Sequence, residues 1–425
     1  MSVSRTDTDA PPGTTRGARV RRSPAISWGL IAAIVIAASN LRPALTSVGA
    51  LLPEISDSSA LTHAWAGVLG TLPLLTFAAV SPAVGRLSRR LGDARLMVLA
   101  MSALAFGTLI RSSGALWGLF VGTLVLSAGI AVGNVLLPAI IRHRVAVEAI
   151  PHVSAIYVTI LGLFAAVSPA IAVPLAHWLP GGWRPALAWA LIVCLVAIAV
   201  WLPMLRAERD ERLSRARAEP LSDGLDVSAA PRIELWRSSL AWQVSLFMGM
   251  QSLAFYSIVA WLPTILRADG VTSTTAGWAL FVYQIVSTAS SMVVPVLTPR
   301  PIRSQGAIAV AAALLVSSGF LMLVVLPDWY QCACVLMGAG GGACLVLALA
   351  FQSQRARNRV EAVALAGMAQ SVGYLIAATG PFTLGVLQGF TGTWAVPLLM
   401  LSSLSLIMAG IAACASRDKH IPLRG

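Results

Sequence analysis

The sequence predicts an all-α, polytopic membrane protein with twelve transmembrane helices in two pseudo-symmetric six-helix halves. Three observations predict it. Apolar runs of about 20 residues, the length that crosses a bilayer, recur along all 425 residues. The Lys and Arg residues crowd alternate connections, and the second half of the chain repeats the first. With 57% hydrophobic and 11% charged residues and a mean hydropathy of +0.80, the composition suits lipid and not water.

The twelve runs lie at 28–53, 64–85, 95–112, 115–139, 153–177, 184–204, 240–265, 275–298, 305–326, 330–352, 362–388 and 393–415. The last four have blurred ends, because short Gly- and Pro-rich turns leave little polar punctuation. Residues 1–27 are polar, Arg-bearing and rich in Pro, Gly and Thr, which predicts a disordered cytoplasmic tail. Arg21-Arg22 precedes a hydrophobic run too long for a cleaved leader, so the first span is expected to be retained. The N-terminal six-helix half is 28–204, and 205–238 is a charged cytoplasmic linker carrying Pro220, Gly224 and Pro231. A short amphipathic stretch is expected within it at Leu205–Arg217. The C-terminal half is 239–415, followed by a cytoplasmic tail at 416–425.

A net charge of +13 would suggest nucleic acid as partner in a soluble protein, but its distribution excludes that here. Of 30 Lys and Arg, 26 fall on one side of the predicted membrane. Only Arg111, Arg184 and Arg267 fall on the other, and Arg42 lies within a span. This positive-inside pattern predicts cytoplasmic termini and a place in the inner (plasma) membrane. The five Cys all fall in spans, and Cys332 and Cys334 face different sides of one helix, so neither a disulfide framework nor a metal site follows. The five His are scattered, and no phosphate-cradling Gly-x-x-x-x-Gly-Lys-Ser/Thr loop is present. The expectation is a monomer that is not an enzyme and needs no cofactor or metal. Its partners are the lipid bilayer, a small-molecule solute and, as a candidate coupling ion, the proton.

The repeat has an offset of 210–213 residues. Leu52-Pro53 and Ala66-Gly67 recur as Leu262-Pro263 and Ala276-Gly277. Ala165–Pro169 recurs as Ala377–Pro381, Trp183 as Trp394, and Glu148 as Glu361. Two parallel six-helix repeats around a central cavity are an architecture of secondary transporters.

Arg42 stands near the middle of the first span, in Ser39-Asn40-Leu41-Arg42-Pro43-Ala44-Leu45. It is about 16 Å from Pro53 along a helix, beyond easy reach of the membrane surface. A charge at that depth faces a cavity or a partner, and a cavity-facing cation calls for an anionic or strongly polar cargo. Pro43 also deprives the Ser39 carbonyl of its helical partner. At the repeat offset Arg42 meets Ser252, beside Gln251, so the charge belongs to one half only. Asn134 likewise meets the Gly338–Gly342 region.

Several motifs carry a family resemblance. Asn40-Leu41-Arg42-Pro43-Ala44-Leu45-Thr46-Ser47-Val48-Gly49 in span 1 and Gly133-Asn134-Val135-Leu136-Leu137-Pro138 in span 4 are two of them. Gln251-Ser252-Leu253-Ala254-Phe255-Tyr256 in span 7, running on to Ala260–Leu266, and Gly367–Tyr374 in span 11 are the others. Together they resemble the cyanate and 2-nitroimidazole transporter branch of the major facilitator superfamily. The resemblance implies transport of small, compact solutes, with spans 1, 4, 7 and 10 lining the cavity and 2, 5, 8 and 11 beside them.

On that basis the candidate solute-binding residues are Arg42, Asn40, Asn134, Tyr157, Gln251, Tyr256, Gln284, Gln370 and Tyr374, with Tyr283 a neighbour on span 8. Gln370 and Tyr374 share a helix face at i, i+4. No acid lies mid-span, so the candidates for proton coupling are Glu54, at a span end, and then His152. The superfamily's loop 2–3 motif reads here Gly85-Arg86-Leu87-Ser88-Arg89-Arg90-Leu91-Gly92-Asp93-Ala94-Arg95, with Arg89 in its usual Asp position. Gly85, Arg89, Arg90, Gly92 and Asp93 are the candidate gating residues, Asp93 partly replacing the missing acid. The expected function is alternating-access carriage of a cyanate-like or nitroimidazole-like solute. The alternatives are a proton-driven exporter of drugs or metabolites and, from another class, a sensor on a transporter fold.

Overall fold

The computed structural model describes residues 28–59, 61–218, 232–297, 302–356 and 359–417. The predicted tails at 1–27 and 418–425, and the linker core at 219–231, lie outside the described residues. In chain order the helices are α1 (Trp28–Ala38), α2 (Pro43–Ser59), α3 (His63–Leu91), α4 (Asp93–Arg111), α5 (Leu116–Arg144), α6 (Ile150–Trp178), α7 (Trp183–Ala188) and α8 (Leu191–Ala218). There follow α9 (Arg232–Arg237), α10 (Ser239–Ala268), α11 (Ser273–Leu297), α12 (Ile302–Val325), α13 (Tyr330–Gln354), α14 (Arg359–Thr391) and α15 (Ala395–Ala415). Eleven segments among the described residues are long and apolar enough to cross a membrane, and α14 completes twelve. The first span is α1 with α2 and the sixth is α7 with α8.

Three expectations need correction. The first span is not one helix: it breaks at Ser39–Arg42 and resumes at Pro43. Pro43 lacks an N–H and suits the first position of a new helix. The Ser39 and Asn40 side chains fold back onto the Ile36 carbonyl at 2.8 and 2.7 Å, competing with the backbone ladder. Second, Leu205–Arg217 is not a separate amphipathic helix, because α8 runs unbroken from the membrane to Ala218. Third, two arginines counted as loop charges are buried. Arg111 ends α4 inside the bundle, and Arg355 donates to the Ala415 and Ser416 carbonyls at 3.0 Å, closing the end of α15.

The two halves meet along α3 with α14 and α6 with α11, and at the Asp57 end along α2 with α10. Small residues allow this approach, as in other membrane helix pairs. A Cβ at Gly49 would overlap the Val259 carbonyl, so only glycine permits the α2–α10 contact. Thr71 Oγ1 donates to the Ala378 carbonyl at 2.8 Å, tying α3 to α14. At the opposite, arginine-rich end, α5 and α13 do not pack closely together among the described residues. The bundle is therefore sealed at the Asp57 end.

The α3–α4 corner holds the loop 2–3 motif. Gly92 adopts φ 93°, a backbone region that favours glycine, and ends one helix while starting the next. Ser88 Oγ donates to the Asp93 carboxylate, and Glu208 on α8 accepts from the Asp93 and Ala94 N–H groups at 2.9 and 2.7 Å. Arg144 of α5 lies 3.8 Å from Glu208. Gly85, Arg89 and Arg90 are exposed.

Candidate functional site

The site begins with the broken first span. The α2 N-terminus lies deep in the bundle at Pro43, and an N-terminus presents partial positive charge. Side chains from neighbouring helices bond to the carbonyls of its first turn. Ser168 Oγ donates to the Pro43 carbonyl at 3.0 Å and exchanges a bond with Ser47, while Arg111 Nη1 donates to the Ala44 carbonyl at 2.6 Å. Arg42 is the last residue before this helix, and its carbonyl accepts the first α2 bonds, from Leu45 and Thr46.

The Arg42 side chain crosses to the other half. Nη1 donates to the Tyr256 hydroxyl on α10 at 3.3 Å, and the guanidinium carbon sits 5.6 Å from the centre of the Phe255 ring. Nε is buried with no hydrogen-bond partner among the described residues. Tyr157 on α6 and Tyr374 on α14 lie within electrostatic reach of the guanidinium. All three tyrosines border one apolar cluster in the N-terminal half, and Phe77 packs edge-on against Tyr374 at 5.7 Å. Arg42, Tyr157, Tyr256 and Tyr374 thus come together from four helices, α6, α10 and α14 joining the α1–α2 break.

The other predicted site residues lie around this centre or apart from it. Asn40 turns away: its amide donates to Val193 on α8 at 3.3 Å as well as to Ile36, so it ties the helix break to the sixth span. Gln251 belongs to a separate small cavity in the C-terminal half, lined also by Phe255, Tyr283, Met337 and Gly341. Its amide donates to Ser252 at 2.8 Å. Phe255 borders both this cavity and Arg42. Gln284 is buried, its Nε2 without a partner among the described residues. Asn134 is half-buried, one residue after Gly133, whose surface meets Leu41. Gln370 is half-buried one turn before Tyr374. Glu54, on α2, has both carboxylate oxygens buried and unpartnered among the described residues, whereas His152 is exposed.

Sequence reading missed Phe255, Phe77 and Arg111. Phe255 was legible as the neighbour of Tyr256 in the span 7 motif. Arg111 was hidden because it ends a helix at a predicted loop. Among the described residues no cluster of three or more His, Cys, Asp or Glu could hold a metal. The arrangement offers a cation, an aromatic face and hydroxyls at mid-depth, which suits reversible binding of a small solute.

A family model described as Major Facilitator Superfamily matches residues 27–378. The chain is 37% identical to the uncharacterized transporter YycB of Bacillus subtilis, over 93% of this chain and 95% of that one. It is 39% identical to the 2-nitroimidazole transporter of Escherichia coli, over 92% and 96% respectively. To the cyanate transport protein CynX of Escherichia coli it is 26% identical, over 89% and 96%. Among solved structures it resembles a D-xylose–proton symporter with a TM-score of 0.73 at 11% identity, covering 92% of this chain and 98% of that one. At that identity the likeness speaks for the fold alone.

Proposed function

We propose, because the chain belongs to the Major Facilitator Superfamily and to its cyanate and 2-nitroimidazole transporter branch, that it carries a small anionic or polar solute across the membrane by alternating access, with Arg42 as the central cation. Membership makes it a multi-pass membrane transporter. The solute, the binding residues and the coupling are our reading. One observation carries it. Arg42 lies deep in the bundle, its Nε is unpartnered, and its contacts are a neutral hydroxyl and a ring face. An unpaired charge in a low-dielectric interior is costly, and an anion would supply the missing counter-charge.

In this reading Tyr157, Tyr256 and Tyr374 surround the solute, and Gln251, Gln284, Gln370 and Asn134 meet it as the halves close. The halves then rock about it, opening the Asp57 end that is sealed here. Gly85, Arg89, Arg90, Gly92 and Asp93 form the corner that gates the opposite end. The halves are 28–204 and 239–415, the termini are cytoplasmic, the membrane is the inner one and the working unit is a monomer.

Proton coupling is supported by Glu54, whose buried, unpartnered carboxylate is what a proton-carrying site needs. Two measurements test these readings in liposomes loaded with the purified protein. Uptake of labelled cyanate, other small anions or nitroimidazoles should be saturable, and Arg42→Gln should abolish it with membrane insertion intact. Normal uptake by that variant would remove Arg42 from the site. Glu54→Gln should make uptake insensitive to an imposed pH gradient while exchange of labelled for unlabelled solute continues. A wild-type response to the gradient would exclude Glu54 as the proton carrier.

A further inference from the structure

Arg111 is 1% exposed, and only one of its three guanidinium nitrogens has a partner, the Ala44 carbonyl. Nε and Nη2 are buried without one among the described residues. It lines a cavity of about 40 Å³ together with Ala44, Thr123, Tyr256, Gly70 and Val259. Thr123 Oγ1 is also buried and unpartnered. Space of this size admits a few water-sized groups. The cavity walls are otherwise apolar, so two arginine nitrogens and a threonine hydroxyl stand unsatisfied around a space lined mostly by Ala, Gly, Val, Leu and Pro.

The location adds to this. Tyr256 borders the cavity and also accepts the Arg42 hydrogen bond, so one residue joins the two arginines. The cavity also reaches Gly49 and Ala260 at the sealed α2–α10 contact, together with Leu52 of α2 and Ala66 of α3. A solute entering through that seal would meet Arg111 before Arg42. Two cations inside the bundle, with no carboxylate between them among the described residues, repel each other, and an anion in the cavity relieves both.

We infer that Arg111, Thr123 and Tyr256 form a second anion station, between the Asp57-end seal and Arg42, that takes a compact inorganic monoanion. The guanidinium supplies the charge and a paired N–H edge, and Thr123 supplies a hydroxyl donor. The walls admit a linear or trigonal ion and exclude a substituted ring. This rests on the reading that the solute is anionic, and its test is separable from transport.

The test is thermal unfolding of the purified full chain in detergent at fixed ionic strength, with sodium azide titrated against sodium gluconate. Azide is a linear triatomic monoanion that leaves amines unmodified, and gluconate is too large for the cavity. Wild type should be stabilised by azide with a saturable midpoint. Arg111→Gln should weaken that apparent affinity by roughly tenfold or more, as expected when a charge-assisted bond is lost. Arg111→Lys should recover part of it. Thr123→Val, which leaves the Arg111–Ala44 bond in place, guards against misfolding of the arginine variant and should weaken affinity by roughly threefold. Any azide bound at Arg42 should be lost in Arg42→Gln, while the component that Arg111→Gln removes should persist in it, so failure of the Arg42 assignment and failure of this one read differently. No azide-dependent stabilisation of wild type, or equal stabilisation of all variants, would overturn the proposal.

Discussion

The two halves share a frame but not a charge. In the N-terminal half Arg111 is buried and Arg42 half-buried, and neither has a carboxylate partner among the described residues. At the repeat offset the C-terminal half answers with Ser252 for Arg42 and the apolar Leu321–Val324 for Arg111. Its own small cavity is lined by Gln251, Phe255, Tyr283 and Met337. The N-terminal half thus holds the cations beside the solute site, and the other lends Arg42 a ring face and a hydroxyl through Phe255 and Tyr256, its own buried Arg355 being spent on the end of α15. The difference teaches how a duplicated bundle acquires a polar site. Helix geometry is kept in both copies, and the cations that face the site come from one, where a counter-ion can reach them.

The largest expected effect comes from moving the charge across the boundary. Arg42→Ser should remove solute uptake. Adding Ser252→Arg to it would place a guanidinium at the matching site of the other half, in a pocket where Gln251 already bonds to position 252. Uptake should stay absent, because the α2 N-terminus, Tyr157 and Tyr374 gather at the first position. Recovery of saturable uptake in the double variant would mean that any midplane cation suffices and that the asymmetry is incidental.

A smaller effect is expected where the halves touch. Gly49 meets the Val259 carbonyl so closely that any side chain must push α2 from α10. Gly49→Val should open the Asp57 end, read as faster labelling of a cysteine introduced at Ala260. Overpacking of this kind costs on the order of 1–3 kcal/mol, so unfolding should also come earlier. Unchanged labelling would show that the seal is held elsewhere, for instance by α3 against α14.

How far these features could be read in advance follows from their physical cause. Span length, side preference and duplication are written in composition and spacing, so the twelve-helix frame was legible. Arg42 was legible because a charge stands out against lipid-like neighbours. The break at Ser39–Arg42 was only half visible: Pro43 removes one N–H, but the competing Asn40 and Ser39 bonds depend on α1 geometry and on Val193 of α8. Arg111 and Arg355 were read as loop charges because position along the chain does not report depth. Each turns inward to satisfy a carbonyl on a distant helix, a tertiary fact with no local signature. Gln251 and Tyr256 are five residues apart, about 140° around the helix, so Gln251 shares a face with Phe255 and opens into another cavity.

The smallest effect belongs to the most conspicuous ion pair between the halves. Arg267 of α10 donates to Asp57 of α2 at 3.2 Å, at the mouth of the sealed end. Asp57 is 70% exposed, and exposed pairs contribute about 0–1 kcal/mol and weaken in salt. Asp57→Asn should therefore shift cysteine labelling at Ala260 slightly, by less than Gly49→Val, and the shift should vanish in high salt. A change as large as the glycine variant's, persisting in salt, would mean that charge and not close packing holds the halves together at this end. The arginines inside the bundle would then share that work with the surface, and the contrast between the two halves would reach beyond the solute site to the seal.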